Sequence, residues 1–553
     1  VSSAQVAFRT LVDNYYRAWF RFHPESAVDL GVEGYAHLLR PYGDDDHGAL
    51  VALQEKLLAA LDEIDPGALD PDAALDYEVL HGAALLEHHE LIERDWRYRD
   101  PTAYVPVNAI YQLTLRPVAD PGAALAARLG AIPGYLRGAR THLGAAPELV
   151  PALWVEAAAT ESLSGADYLR ALHGHPEVER LHLERPLEEA THALEDFAHY
   201  LERELAPRAS GRIACGRAHY ERLLRYRHFL EIDADALHAL GERLYAQTLT
   251  ELKAATRELR GDEDIAALAA ELPTQYPAEG DLVDSYRREM EAARAFVADR
   301  ELVALPEAEQ LRVVETPGFL RHQIPFAAYL EPTPTDPEQR GLYYVTPPAD
   351  EAARAEHNRV GQRHTCVHEA WPGHHLQFVT ANRDRASSTL PRLLNPSATL
   401  YEGWALYCEQ LMFEQGFLGE PASRFVLLKD RLWRALRIMI DVELHCRGLS
   451  VEAAVERMSQ ALGFTATQAR GEITWYSLAP SVPMGYATGW ALINAARSRL
   501  QGLEPEAGLR SFHDRLLGAG SVGLPLAIRA RFGAPFWDSV AREVFAGPAG
   551  EVN

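Results

Sequence analysis

The sequence predicts a mainly α-helical chain with one small β-sheet. Three observations carry this reading. Ala, Leu, Glu and Arg dominate the composition, apolar residues recur at three-and-four spacing through most of the length, and the period changes to alternation only between about 310 and 347. In the N-terminal half the helical spacing runs through 4–20, 48–63, 72–95, 121–146, 186–206 and 233–258. Asp65-Pro-Gly, Asp100-Pro, Asp120-Pro-Gly and His173-Gly-His-Pro176 punctuate it, each too short to be a flexible linker. The alternating stretch holds Leu311-Arg-Val-Val-Glu, Pro325-Phe-Ala-Ala-Tyr-Leu and Leu342-Tyr-Tyr-Val-Thr between Pro-rich turns, which predicts two or three short strands. Helical spacing then returns over 351–380, 398–418, 422–447, 450–463, 466–477, 485–501 and 505–516. The expected organisation is a helical lobe over 1–300 and a second lobe over 301–553, in which the sheet directly precedes the helix that carries the chemistry.

At 553 residues the chain is long enough to bury a large core in two lobes. Its net charge of −25 repels nucleic acid and anionic lipid surfaces, so neither is expected as a partner. Four cysteines, Cys215, Cys366, Cys408 and Cys446, are too few for a disulfide framework and lack C-x-x-C spacing, so reduced thiols and a cytoplasmic location are expected. No apolar run approaches the roughly 18 to 20 residues that span a bilayer. The chain starts at Val1 rather than Met, which leaves a removed export leader open.

The segment His368-Glu369-Ala-Trp-Pro-Gly-His374-His375 carries the strongest chemical signal. In the usual zinc hydrolase pattern H-E-x-x-H the two ligands stand four apart on one helix face and the intervening Glu serves as general base. Here position i+4 from His368 is Pro372, so the second ligand has to be His374 or His375. Pro372 removes an intrahelical hydrogen bond and Gly373 frees the backbone, so a bulge that loops out two residues would bring His374 into the i+4 role. In an undistorted helix His375 would sit about 10.5 Å from His368, too far to chelate one ion, and the reading favours His374. A third protein ligand has to come from another element, and Glu402 in Tyr401-Glu-Gly-Trp-Ala-Leu-Tyr-Cys-Glu409 is placed to supply it. Glu409, about two turns on, reads as an outer partner or a solvated charge. His364, four before His368, would leave Glu369 badly aimed if it were the partner ligand, and Glu87-His88-His89-Glu90 reads as a solvated helix face.

These motifs, together with Asp441-x-x-x-His445, resemble a large bacterial family of proteins of unknown function regarded as relatives of the gluzincin metallopeptidases. The resemblance spans most of the chain and is strongest from about 310 to 500. It implies a gluzincin-like two-lobed fold, Zn2+ as cofactor, His368, His374 and Glu402 as ligands, and Glu369 as general base. One segment departs from the family, which commonly shows an acid, Arg-Tyr, and then Pro-Gly-Gln leading to a Tyr and a Gly. Here Trp475 replaces the Arg and Ser481-Val482 replace Gly-Gln, so an Arg that would grip a substrate carboxylate is missing.

The expected activity is hydrolysis of a peptide or small amide. A metal hydrolase of a non-peptide amide, ester or lactam, and a non-catalytic binding protein on the same fold, are the alternatives. An oxyanion donor opposite the metal is expected from Tyr486, Tyr476 or His445, the last of these with Asp441 one turn away to orient its imidazole. Tyr486 stands on a Gly-flanked, Pro-rich segment suited to lining a cleft. A free sheet edge could bind extended peptide with Tyr343 or Tyr344 beside it, although packing is the commoner role for tyrosines on a half-buried strand.

Overall fold

The computed structural model describes residues 3–321 and 323–546. Helices dominate, and the helical spacing read from sequence falls on observed helices: Ser3–Trp19, Asp44–Asp62, Pro71–Glu93, Pro121–Ala145, Glu184–Tyr200 and Ala234–Arg260 in the first half. The alternating stretch forms β1 (Gln310–Glu315), β2 (Ala327–Leu330) and β3 (Arg340–Val345), in the order β1-β3-β2. β1 and β3 are parallel, with Val313 opposite Tyr343. β3 is therefore the middle strand, and its Tyr343 and Tyr344 are buried, Tyr343 against the ring of Tyr286 at 5.3 Å. They pack and do not line a cleft.

The chain divides into two compact units, and the boundary is not the 300/301 division expected from sequence. One unit holds the residues up to 213 with 316–327 and 333–337; the other holds 214–315, 328–332 and 338 onward. The reason lies in Ala234–Arg260 and Leu282–Asp299, which pack on the helices of the second unit. Ala234–Arg260 runs along Ser423–Cys446, and Leu282–Asp299 lies against Arg359–Glu369.

Within the first unit, Glu87 is a half-buried polar hub rather than part of a fully solvated face. It accepts hydrogen bonds from Trp19 Nε1 at 2.8 Å and Gln54 Nε2 at 2.7 Å, and pairs with His23 Nε2 at 2.7 Å. His23 and Trp19 hold this half-buried carboxylate below its usual range against the cost of burial. Among the described residues no helix is long and apolar enough to cross a membrane, and the four cysteines are free.

The second unit holds the candidate site. The single helix expected over 351–380 is three: Glu351–Glu356, Arg359–Glu369 and His374–Arg383. Asn358 restarts the backbone as an N-cap, its side chain accepting from Gly361 N–H. The second break, at Ala370 to Gly373, ends the motif helix (Arg359–Glu369) directly after Glu369 and starts the next helix on His374. Pro372 has no N–H for the ladder, and a β-carbon on Gly373 would collide with the carbonyl oxygens of Val367 and His368. Across the break the Gly373 N–H donates to the Val367 carbonyl at 3.1 Å and the Leu376 N–H to the Ala370 carbonyl at 3.3 Å, each spanning six residues instead of four, so two residues are looped out as the sequence led us to expect. Trp404 Nε1 donates to the Pro372 carbonyl at 2.8 Å and fixes the turn to the helix Ala398–Glu414.

That helix in turn lies along Gly485–Leu503 at very close range. A β-carbon on Gly489 would run into the Thr399 carbonyl and the Cα of Gly403, so only glycine permits the approach. The consequence is that Glu402 and Tyr486, each in the first turn or two of its helix, share one interhelical seam.

Candidate metal centre

His368 on the motif helix, His374 at the start of the following helix and Glu402 on the third bring their ligand atoms within 4.8 Å of one another. Glu402 Oε2 lies 3.3 Å from His374 Nε2 and 3.6 Å from His368 Nε2, and the two imidazoles stand edge to face with centroids 4.8 Å apart. Ligand atoms about 2.0–2.1 Å from a tetrahedral ion lie about 3.3–3.4 Å from each other, which these separations approach. Glu402 Oε2 is buried with no hydrogen-bond partner, as is His374 Nδ1. An orphaned carboxylate oxygen facing two imidazole nitrogens is the environment a divalent cation satisfies.

Charge makes the same case. Burial alone would lower the His368 imidazole, but the facing Glu402 carboxylate and the hydrogen bond to Glu409, with Glu369 nearby, bring it up to about 10. Burial likewise works against the Glu402 carboxylate, yet His374 and His368 hold it well below its usual range. Without a cation the cluster retains a proton on His368 to offset its acids. Three carboxylates around two imidazoles thus carry a surplus of negative charge that a metal would balance.

Glu409 is the outer partner of this set. Its Oε1 lies 2.8 Å from His368 Nδ1, so the Nδ1–H is held by the carboxylate and Nε2 is turned toward Glu402 and His374. Behind it His364 Nδ1 stands 3.6 Å from Glu409 Oε2, which places His364 outside the ligand group. His375 points elsewhere as well. Its Nε2 pairs with the buried Glu309 at 3.1 Å and its Nδ1 meets the Tyr329 hydroxyl on β2 at 3.1 Å, so both ring nitrogens are committed to tying the helix to the sheet.

Glu369 is half-buried at the end of the motif helix, next in sequence to His368, and acts on His368 electrostatically. Tyr486 stands in the first turn of Gly485–Leu503, within the helical spacing expected over 485–501, and its phenol feels the Glu402 carboxylate. Burial and the Glu402 carboxylate push the Tyr486 phenol well above its usual value, so it keeps its proton at any working pH.

Two expected donors are placed differently. Tyr476 is fully buried, its hydroxyl accepting from Arg437 Nε at 3.0 Å and donating to Glu472 at 2.9 Å. His445 is buried too. Its Nδ1 accepts from the Cys215 N–H at 3.2 Å and its Nε2 donates to the Tyr476 carbonyl at 3.0 Å, so it braces two main-chain segments. The i, i+4 spacing to Asp441 is real, at 3.6 Å, but both nitrogens are already used by backbone.

Asp441 has its own consequence. It is fully buried and accepts from the Tyr220 hydroxyl at 2.7 Å and the Ser481 N–H at 3.1 Å, yet burial pushes its carboxyl up to about 8. Because the folded value exceeds the unfolded value of about 3.9, the stability this group contributes is complete below about pH 4. It is lost as the pH rises toward the folded value, by up to about 1.4 kcal/mol per pH unit. Asp441→Asn keeps an acceptor for both donors and cannot ionise. Thermal denaturation at pH 6 and pH 8.5 is expected to show a smaller fall in Tm for this variant than for the wild-type chain.

Sequence reasoning missed Arg437. Its guanidinium lies in a box of aromatic rings, 4.4 Å from Trp433, 5.1 Å from Trp475, 5.7 Å from Tyr476 and 4.5 Å from Tyr486. It also pairs with Glu472 at 2.9 Å. The family position at which Trp475 replaces Arg therefore still has a cation beside it, supplied by a different helix and stacked on the tryptophan. The spacing Asp430, Arg434, Arg437, Asp441, a polar stripe on an apolar helix, was the available signal.

The fold has solved counterparts. A protein of Shewanella oneidensis, described as a "putative lipoprotein of unknown function", superposes with a TM-score of 0.76 at 20% identity, over 94% of this chain and 98% of that one. A "putative lipoprotein" of Colwellia psychrerythraea superposes with a TM-score of 0.80 at 18% identity, over 97% of this chain and all (100%) of that one. No curated protein matches the sequence. Residues 24–530 match the family described as "Bacterial protein of unknown function (DUF885)", and the chain belongs to that family.

Proposed function

We propose that the protein is a zinc-dependent hydrolase of a peptide or amide bond. The observation that carries this reading is the convergence of His368, His374 and Glu402 from three helices, with an orphaned carboxylate oxygen at the centre and Glu409 holding His368 from behind. A two-histidine, one-carboxylate set is a zinc hydrolase donor set, and zinc when bound there supplies Lewis acidity and lowers the pKa of water from 15.7 toward about 7. Glu369, one residue beyond His368, accepts the proton of the attacking water and returns it to the leaving nitrogen. Tyr486 donates its phenolic proton in a hydrogen bond to the developing oxyanion. Glu409 keeps the His368 ring turned toward the other ligands throughout.

The gluzincin kinship belongs to this proposal, resting on the donor set and the Glu next to the first histidine. The cytoplasmic expectation does not carry over, since the two solved structures that share the fold are each described as a "putative lipoprotein". The test is hydrolysis of a mixed peptide and acyl-amide library, followed by mass spectrometry. Cleavage is expected to stop on treatment with 1,10-phenanthroline and to return on addition of zinc. Cleavage that persists through chelation, or a metal-loaded protein that cleaves no amide, would count against the proposal.

A further inference from the structure

Two groups of aromatic rings flank the metal centre. One, formed by Trp433, Trp475, Tyr476 and Tyr486, is already filled by the Arg437 guanidinium. The other is Phe378 with Tyr401. Phe378 lies one turn beyond His374 on the same helix face, its ring 5.8 Å from the imidazole and inclined at 24°. Tyr401 immediately precedes Glu402; its ring is 6.3 Å from His374 and 6.1 Å from Phe378. Both rings are half-buried, so part of each surface faces outward beside a proposed ligand.

We infer that Phe378 and Tyr401 are specificity-determining residues, forming a wall that receives an aromatic or large apolar side chain next to the scissile bond. The inference rests on the hydrolase reading and names its substrate class. Large rings beside a metal gain from stacking as well as from burial, and offset or tilted ring pairs at 4.5–7 Å are the favoured arrangement.

The test compares two metal-chelating probes on the zinc-loaded full chain by isothermal titration calorimetry: acetohydroxamic acid and 3-phenylpropionohydroxamic acid. The phenyl compound is expected to bind about tenfold tighter or more, the gain from covering roughly half of a ring. Phe378→Ala is expected to shrink that ratio to within about threefold, and Tyr401→Phe, which keeps the ring, to preserve it. Equal affinity of the two probes for the wild-type protein, or a ratio unchanged in Phe378→Ala, overturns the inference and leaves the metal reading standing. Failure of both probes to bind overturns the metal reading and the wall with it. The wild-type ratio alone decides the matter if Phe378→Ala does not fold.

Discussion

Replacing Glu369 by Gln is expected to reduce hydrolysis by about 10²- to 10⁴-fold while leaving the metal bound. Glutamine is close in size and keeps a carbonyl oxygen, so the half-buried end of the motif helix should accept it without rearrangement. What it loses is the ability to take a proton from water and hand it on. Among the carboxylates of the centre, Glu402 faces both imidazoles and Glu409 is committed to His368, which leaves Glu369 to carry this task. Turnover of any substrate found for the wild-type chain, measured together with metal content, checks the expectation. A variant that retains both metal and full activity would remove Glu369 from the reaction.

Exchanging the two adjacent histidines separately should give opposite results. His374→Ala removes a ligand and is expected to weaken zinc binding by more than the roughly 10- to 100-fold typical of losing an outer partner. His375→Ala should keep the metal and lose stability instead. Its partner Glu309 is almost wholly buried and, among the described residues, would keep the pairing with Arg294 at 2.6 Å, so a cost of about 1–3 kcal/mol follows from the carboxylate oxygen that loses its His375 donor. Competitive zinc titration against a chromophoric chelator reads the first effect, and urea denaturation of the metal-free chains reads the second. Equal loss of zinc affinity in the two variants would mean that the structure assigns the wrong histidine.

Much of the architecture is legible in the sequence, because helical periodicity reports which face is buried. The stretch 466–477, for example, is observed as Ala466–Leu478, opened by a Thr465 capping box with Gln468. Leu282–Asp299, which is not among the expected helices, carries the same signal: Leu282, Tyr286, Met290, Ala293 and Val297 are its buried stripe. The lobe boundary is not legible, because it depends on which helices Ala234–Arg260 and Leu282–Asp299 pack against, and periodicity shows a face without naming its partner.

At the site, the residue types and their order point to His368 and Glu402 and favour His374 over His375 as the second histidine, and the fold brings His368, His374 and Glu402 together. The backbone route is readable as well: Pro372 and Gly373 announce a distortion that loops out two residues, and the Gly373 N–H reaches the Val367 carbonyl six residues back. His445 and Tyr476 illustrate a different limit. Each has the right functional group at a plausible distance in sequence, yet both are buried with their polar atoms used, His445 on main chain and Tyr476 between Arg437 and Glu472. Only three-dimensional accounting of hydrogen bonds distinguishes a brace from a donor. Arg437 is hidden for the complementary reason, that its neighbours Trp475 and Tyr486 lie on two other helices.

The most direct measurement is the metal content of the chain purified without chelator, by inductively coupled plasma mass spectrometry, before and after incubation with zinc and desalting. Three converging ligands with an outer carboxylate predict about one equivalent of zinc per chain, and far less in Glu402→Ala. Less than about 0.2 equivalents in the zinc-incubated wild-type protein, or an equal amount in Glu402→Ala, would contradict a metal centre at His368, His374 and Glu402.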